Sequence, residues 1–200
     1  MPDFIKKLKK LCHLSFFAEK NSMHINYEFK ARCANIEELE QRLLKLDPVF
    51  AGTDHQVDTY FHVPHGRLKL REGNIEHALI HYERSNLAGA KQSDVCLYQH
   101  QPDPALKDIL VRSLGIKTVV DKRRKIYFVD NVKFHFDQVE ALGSFIEVEA
   151  IDSDGSIGLE KLKEQCAYYA SFFSLRPDQY MAASYSDLLL AKKSSTDKEV

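Results

Sequence analysis

The chain has almost no net charge. Its 200 residues include 28 lysines and arginines against 29 aspartates and glutamates, for a formal net charge of -1. A protein that binds nucleic acid through its overall field carries a clear excess of positive charge. We therefore expect no nucleic-acid partner, and any charge that serves function must be concentrated locally.

Cysteine is scarce and apolar runs are short. The four cysteines, Cys12, Cys33, Cys96 and Cys166, form no C-x-x-C pair, and no secretory signal is visible. Such thiols are expected to be reduced, which is typical of a cytoplasmic protein. No apolar run reaches the roughly 20 residues of a membrane-spanning helix, so a transmembrane segment is not expected.

Several common ligand-binding motifs are missing. The sequence contains neither the glycine-rich P-loop nor G-x-G-x-x-G, and its nine histidines include no H-E-x-x-H. A bound phosphate would therefore be held by side chains rather than by the backbone amides of a loop. Ser93 and Asp94 have no base arranged beside them, so the sequence does not support nucleophilic catalysis.

The composition predicts one sizeable domain with less regular ends. Hydrophobic residues make up 44% of the chain, which is enough for a core. Residues 1–22 form a basic extension, either a flexible leader or a helix that lies on an anionic membrane surface. The domain is expected to span 23–191, and the polar segment 192–200 is expected to be a disordered tail.

Alternation of polar and apolar residues is the dominant pattern. In 24–31, Ile25, Tyr27 and Phe29 share one face, and Asn26, Glu28 and Lys30 share the other. This period of two predicts a β-strand. The same pattern predicts seven further strands, at 57–63, 67–72, 75–84, 93–100 and 116–129 and in the two halves of 132–150.

Capping residues mark the helices. Asn35 followed by Glu38 resembles a capping box and predicts a helix that ends before Pro48. Asp103 before Pro104 predicts a second helix, which ends at Gly115 and carries its apolar face on Leu106, Ile109, Leu110 and Leu114. Further helices are predicted at 157–173 and from Pro177 to Leu190.

The fold class follows from the two faces of the strands. Each strand has one apolar face, which the helices are expected to cover, and one charged face. We expect an α+β protein with a closed or nearly closed eight-stranded antiparallel barrel, whose lumen is polar and charged. The alternative is an open antiparallel sheet with helices on one side and the charged residues in solvent.

The charged faces separate into two sets. The basic set is Lys30, Lys69, Arg71, Lys122 and Arg124, and the acidic set is Glu28, Asp137, Glu147 and Glu149. Arginine and lysine bind phosphate oxygens, and carboxylates bind Mg²⁺ or Mn²⁺. Each set without a partner would repel itself. A metal–triphosphate complex would satisfy both, whereas a solvated face remains the alternative for the glutamates alone.

These residues stand in motifs that resemble the CYTH superfamily, the triphosphate tunnel metalloenzymes. The resemblance covers about residues 23–190 and is nearest to the class IV adenylate cyclase-like branch. Its motifs are Asn26-Tyr27-Glu28-Phe29-Lys30, Asp58-Thr59-Tyr60-Phe61, Leu68-Lys69-Leu70-Arg71, Lys122-Arg123-Arg124, the segment from Asp137 through Gly143 to Glu147-Val148-Glu149, and Tyr185-Ser186-Asp187-Leu188-Leu189.

The resemblance implies a metal-dependent enzyme with Mg²⁺ or Mn²⁺ as cofactor. A cyclase of this type converts ATP to cyclic AMP and pyrophosphate; a triphosphatase of the same fold hydrolyses tripolyphosphate, thiamine triphosphate or a nucleoside triphosphate. A non-catalytic polyphosphate- or nucleotide-binding module is a further alternative. The sequence leaves open whether the chain is a homodimer.

The resemblance also assigns roles to individual residues. It implies metal ligands at Glu28, Asp137, Glu147 and Glu149, and catalytic roles for Glu28, Lys30 and Arg124. It implies triphosphate binding by Lys30, Lys69, Arg71, Arg84, Lys122 and Arg124. Two positions depart from the family pattern: Asn26 replaces the first glutamate of E-x-E-x-K, and Arg84 stands near the place of a family lysine.

Overall fold

Eight antiparallel strands close into a barrel in the computed structural model, which describes residues 24–83 and 89–196. The order around the barrel is β1-β5-β4-β3-β2-β6-β7-β8, and β8 pairs with β1 to complete the ring. The strands are β1 (His24–Arg32), β2 (Val49–Phe61), β3 (Arg67–Glu72), β4 (His77–Glu83), β5 (Lys91–Gln99), β6 (Ile116–Val129), β7 (Val132–Val139) and β8 (Gly143–Asp152). The predicted closed barrel is confirmed.

Four α-helices accompany the barrel in the described residues. They are α1 (Ile36–Leu44), α2 (Pro104–Leu114), α3 (Leu159–Phe172) and α4 (Tyr185–Thr196). The predicted caps are present: the Asn35 side chain accepts a hydrogen bond from the Glu38 amide at 3.2 Å, and Asp103 accepts one from the Ala105 amide at 2.9 Å. No helix in the described part of the chain is long and apolar enough to cross a membrane.

The main hydrophobic core lies outside the barrel, between its wall and two helices. Phe29, Phe134 and Val148 belong to this core, together with Leu43 of α1 and Leu162 of α3. These strand residues alternate with the charged ones, so the apolar side chains point outward and the charged side chains point into the lumen. The helices thus cover the apolar face, as the alternation predicts.

The second helix is the exception to this arrangement. No residue of α2 is fully buried, and Ile109 on its predicted apolar face is 60% exposed. Its apolar residues therefore do not form a core comparable with that beneath α1 and α3. The expectation that every helix buries an apolar face was wrong for α2.

Several predicted boundaries also differ from the structure. Strand β2 begins at Val49, eight residues before the predicted strand at 57, and pairs with β6 along its length. A single 3-10 turn, Pro177–Gln179, occupies the predicted start of the last helix, which begins only at Tyr185 and continues to Thr196. Helix α4 therefore includes part of the predicted tail. The basic extension 1–22 lies outside the described residues.

Candidate active site

The barrel lumen is filled with buried charged side chains. In β1, β2, β3, β6, β7 and β8 every second side chain points toward the interior of the barrel, and these side chains are largely polar. Residues of this lumen face that are almost fully buried are Asn26, Glu28, Lys30, Asp54, Gln56, Asp58, Arg71, Lys122, Arg124, His135, Asp137 and Glu147. Burying so many ionisable groups lowers the free energy of unfolding, and clusters of this kind are typical of functional sites. The lumen is therefore the candidate site.

Asp58 is the centre of the first group of contacts. Its carboxylate, which is 2% exposed, accepts hydrogen bonds from Arg71 at 2.9 and 3.1 Å, from Lys122 at 2.7 Å and from Lys69 at 3.1 Å. Strand register brings these groups together. Asp58 lies directly opposite Arg71 on β3, and on β6 it lies opposite Val120, two residues before Lys122. Three predicted phosphate-binding residues thus converge on one carboxylate.

Burial and charge act in opposite directions on this group. Burial alone would raise the pKa of Asp58, but Arg71, Lys122 and Lys69 outweigh it and hold that pKa well below its usual value. Burial lowers the pKa of Lys122 to about 7, and the attraction of Asp58 only partly opposes this. Asp58 is therefore an ionised counter-ion for the basic residues.

A second carboxylate extends the network toward the turn between β3 and β4. Glu76 accepts hydrogen bonds from Arg71 at 2.7 Å, Gln56 at 2.9 Å and Lys133 at 2.5 Å. Asp54 binds the backbone amides of Ile75 and Glu76 at 3.0 and 3.1 Å, which fastens the turn to the lumen. Sequence analysis did not select Asp54, Gln56, Asp58, Glu76 or Lys133 as site residues.

Arg124 is the centre of the second group. It binds Asp137 through two parallel hydrogen bonds of 2.6 Å each and reaches Glu147 at 2.8 Å. Lys30 binds the other oxygen of Glu147 at 2.7 Å. Burial alone would raise the pKa of Glu147, yet Lys30, His135 and Arg124 hold it well below its usual value.

Helix α4 contributes an aromatic side chain to the same group. The Tyr185 hydroxyl donates a hydrogen bond to Asp137 at 2.7 Å. The Lys30 ammonium lies over the Tyr185 ring, 4.0 Å from the ring centroid. The oxygens of Asp137 are therefore engaged by Arg124 and Tyr185. In this arrangement Asp137 orients Arg124, whereas the sequence motif implies a metal ligand at this position.

A possible ligand set for a metal lies beside this group. His135 Nδ1 is 3.3 Å from Glu147 Oε2 and 3.6 Å from Glu149 Oε1, and one ligand atom from each residue lies within 4.8 Å of the others. Burial and the charges of Arg124 and Lys133 lower the pKa of His135 to about 3, so the imidazole is neutral. Burial and Glu147 raise the pKa of Glu149 to about 7.

The remaining site residues are placed as follows. Glu28 is buried and lies opposite Glu149 in the pairing of β1 with β8, which brings two of the expected metal ligands together. Asn26, the departure from the family motif, lies on the same face of β1, and its side-chain oxygen has no hydrogen-bond partner in the described structure. Arg84 lies outside the described residues.

The two charged sets are not separate halves of the lumen. Arg124 and Lys30 bind the acidic residues Asp137 and Glu147, and Asp58 forms ion pairs with three basic residues. The premise that each set needs a partner from outside the chain was wrong, because Asp58 pairs with basic residues and the register of β6, β7 and β8 brings Arg124 against Asp137 and Glu147. A polyanion would have to compete with these internal carboxylates.

A closed eight-stranded antiparallel barrel with a charged lumen is a tunnel fold, and comparison with known families agrees with this class. Residues 24–173 match the family model described as the CYTH domain. The chain belongs to the CYTH family. The resemblance of its motifs is thereby confirmed.

Individual relatives show how far the likeness extends. The chain is 28% identical to adenylate cyclase CyaB of Aeromonas hydrophila over 166 residues, which cover 80% of this chain and 86% of that protein. The PH1012 protein of Pyrococcus horikoshii OT3 has a TM-score of 0.68 and 26% identity over 83% of this chain and 99% of its own. HpAC1 of Hippeastrum has a TM-score of 0.57 and 14% identity over 86% and 96% of the two chains, which shows the fold alone.

Proposed function

We propose that this protein is a divalent-metal-dependent enzyme that converts ATP to cyclic AMP and pyrophosphate. The observation that carries the proposal is the convergence of Lys69, Arg71 and Lys122, of which the last two are buried, on the single carboxylate of Asp58. A row of phosphates offers the same basic groups several oxygens in place of one carboxylate. The likeness to adenylate cyclase CyaB supports cyclisation as the reaction.

The phosphate-binding wall consists of β3 and β6. Lys69, Arg71 and Lys122 would exchange part of their contact with Asp58 for phosphate oxygens, and Arg84, outside the described residues, stays a sequence-based candidate for phosphate binding. Arg124, two residues after Lys122 on β6, and Lys30 on β1 both bind Glu147. Their positive charge would stabilise the negative charge that develops during transfer, which is the main contribution of a protein to phosphoryl chemistry.

The metal-binding wall consists of β1 and β8. Glu28, Glu147 and Glu149 would hold Mg²⁺ or Mn²⁺ there, and the buried oxygen of Asn26 without a partner suits such a site. The ion would neutralise phosphate charge when bound. Asp137, on the neighbouring strand β7, would act mainly by orienting Arg124, which it binds with both oxygens.

In the proposed reaction the 3′-oxygen of ATP attacks the α-phosphorus, and the bond from that phosphorus to the bridging oxygen breaks. Pyrophosphate leaves, and the hydroxyl proton passes to a carboxylate of the lumen, for which Glu28 is the candidate. The reactants would be held in a lumen that excludes most water, where fixed charges act strongly.

Hydrolysis is the second candidate, because it needs the same binding groups and differs only in the nucleophile. Water would attack the terminal phosphorus of ATP, tripolyphosphate or thiamine triphosphate. HpAC1, which shares the fold at low identity, is described as having a dominant triphosphatase activity. Fold alone therefore does not separate the two reactions.

The deciding experiment follows both products. The full chain is incubated with ATP or tripolyphosphate, with Mg²⁺ or Mn²⁺, and cyclic AMP, pyrophosphate and phosphate are measured. Cyclic AMP with equal pyrophosphate supports the cyclase, and phosphate without cyclic AMP supports the triphosphatase. Tight binding without turnover, together with turnover in Asn26→Glu, would support the binding module, and neither binding nor turnover would refute all three.

A matched pair of variants tests the site itself. Lys122→Met removes a buried lumen cation, whereas Lys161→Met removes an exposed cation that pairs with Glu164 on α3. Loss of a buried charged partner costs about 2–5 kcal/mol, which corresponds to roughly 30-fold or more in kcat/KM. We expect this loss in Lys122→Met and unchanged kinetics in Lys161→Met.

A further inference from the structure

The imidazole of His135 lies within the group of carboxylates that would hold the metal. His135 is 1% exposed and stands on the lumen face of β7, directly opposite Glu147 on β8. Its Nδ1 atom forms a hydrogen bond with Glu147 Oε2 at 3.3 Å and lies 3.6 Å from Glu149 Oε1, and a bound ion would replace that hydrogen bond. Sequence analysis did not place His135 among the metal ligands.

These distances suit three ligands of one ion. Metal–nitrogen and metal–oxygen bonds of roughly 2.0–2.2 Å place neighbouring ligand atoms roughly 3–4 Å apart. Nδ1 meets this condition with both carboxylates, and all three ligand atoms lie within 4.8 Å of one another. Small side-chain rotations would therefore complete the set without movement of the strands.

A buried polar atom of a second residue gives an independent indication that the lumen awaits a ligand. The Asn26 side-chain oxygen lacks a hydrogen-bond partner in the described structure. Buried polar atoms are normally satisfied, and exceptions call for an explanation such as an ion. Asn26 lies on the lumen face of β1, two residues before the expected metal ligand Glu28.

The combination of ligands predicts which ions are preferred. Mg²⁺ prefers oxygen ligands and binds imidazole poorly, whereas imidazole suits transition ions. Asn26 supplies a neutral oxygen where the motif has a carboxylate, so the set loses a negative charge as well as gaining a nitrogen. Both changes reduce the advantage of a hard ion.

We infer that His135 is a ligand of the metal and that the site therefore prefers a transition ion such as Mn²⁺ over Mg²⁺. This inference rests on the metal site of the proposed function. It assigns to the imidazole direct coordination through Nδ1, with Glu147 and Glu149 as its partners.

Pulsed electron paramagnetic resonance of bound Mn²⁺ tests coordination directly. The full chain is stripped of metal with a chelator and loaded with Mn²⁺ alone, and the spin-echo modulation is recorded. A directly bound imidazole gives modulation from its nitrogen. We expect that signal in the wild type and in His55→Gln, whose histidine is half exposed and pairs with Asp121, and we expect its loss in His135→Gln.

Calorimetric titrations with Mn²⁺ and with Mg²⁺ test the selectivity. We expect Mn²⁺ affinity to fall by about tenfold or more in His135→Gln, while Mg²⁺ affinity changes by less than about threefold. Equal weakening of both ions would overturn the inference, because His135 would then only orient Glu147. Absence of nitrogen modulation in the wild type would also overturn it, and this result needs no variant to fold.

The outcome is separable from that of the proposed function. Turnover of ATP with Mn²⁺-loaded protein that shows no nitrogen modulation would overturn the ligand role while leaving the enzyme intact. Nitrogen modulation in a protein without turnover would support the ligand role and count against the enzyme.

Discussion

Arg71 and Asp58 form a bidentate ion pair inside the barrel, in which Nε donates to Oδ1 at 2.9 Å and Nη2 donates to Oδ2 at 3.1 Å. The same carboxylate also holds Lys69 and Lys122. In the proposed enzyme, the phosphates of the substrate would replace part of the contacts that this carboxylate makes with the three basic residues.

Asp58→Asn is expected to destabilise the protein and to strengthen its response to polyanions. The substitution removes the carboxylate that Lys69, Arg71 and Lys122 share, and Arg71 keeps its pair with Glu76. Breaking a buried ion pair typically costs about 3–5 kcal/mol. Tripolyphosphate should restore part of it, so its stabilising effect in thermal unfolding should be larger than in the wild type. Asp121→Asn, at an exposed carboxylate, is the control. Equal shifts with tripolyphosphate in all three proteins would contradict the prediction.

The contribution of Asp58 should depend on pH in a defined way. Burial would raise its pKa, but Arg71, Lys122 and Lys69 hold it well below the usual value of 3.8. Because the folded pKa is the lower one, the stabilisation is complete above the unfolded pKa and is lost as the pH falls toward the folded value. Urea unfolding should therefore show a larger difference between wild type and Asp58→Asn at about pH 5–6 than below about pH 4. Above about pH 7 the difference should shrink as well, because Lys122 loses its proton there. A difference that does not change down to pH 3 would refute it.

Tyr185→Phe isolates the hydroxyl that helix α4 contributes to the lumen. The ring over Lys30 is kept, and only the hydrogen bond to Asp137 is removed. A hydrogen bond to a charged group contributes about 1.5–3 kcal/mol, so the free energy of unfolding should fall by that amount. Tyr180→Phe is the control, since Tyr180 packs edge-on against Phe29 outside the lumen. A loss no greater than in this control would show that the bond contributes little.

Asn26→Glu should make stability depend on the metal. The new carboxylate would share the lumen face of β1 with Glu28 and lie near Glu149, where like charges repel. We expect a lower Tm than wild type in the presence of a chelator and a larger rise in Tm on addition of Mg²⁺, because a metal that binds the folded state stabilises it. Thermal unfolding in both conditions measures this. An identical metal response in both proteins would argue against a metal site near Asn26.

The sequence predicted the parts of the fold that depend on local periodicity. Alternation was clear in β1, β3, β6, β7 and β8. The common polar face of these strands allowed either an open sheet or a closed barrel, and the basic and acidic residues on that face favoured the barrel. The first half of β2 was not predicted as a strand, because Phe50-Ala51-Gly52-Thr53-Asp54 does not alternate between polar and apolar residues. Its strand conformation depends on pairing with β6, which is distant in the sequence.

The contacts inside the lumen were less accessible to sequence analysis. The pattern shows which face a residue occupies, but the partner across the barrel depends on strand order and register. Asp58 was quoted only as part of a motif, yet it lies against three cations because β2 stands between β3 and β6. Likewise Asp137 meets Arg124 because these residues are directly opposite in the pairing of β6 with β7. The sequence contains both residues without indicating that they meet.

The pairing of β1 with β8 also has a consequence for how the protein acquires its structure. Lys30 lies opposite Glu147 in that pairing, so the two sides of the lumen come from residues far apart in the chain. Contacts of such long range close slowly, because a long loop must be ordered before they form. During synthesis, a chain that has not yet released β8 exposes the edges of both β1 and β7, which are templates for unwanted pairing. The charged lumen is therefore assembled late, and the barrel is most prone to aggregation just before its last strand emerges.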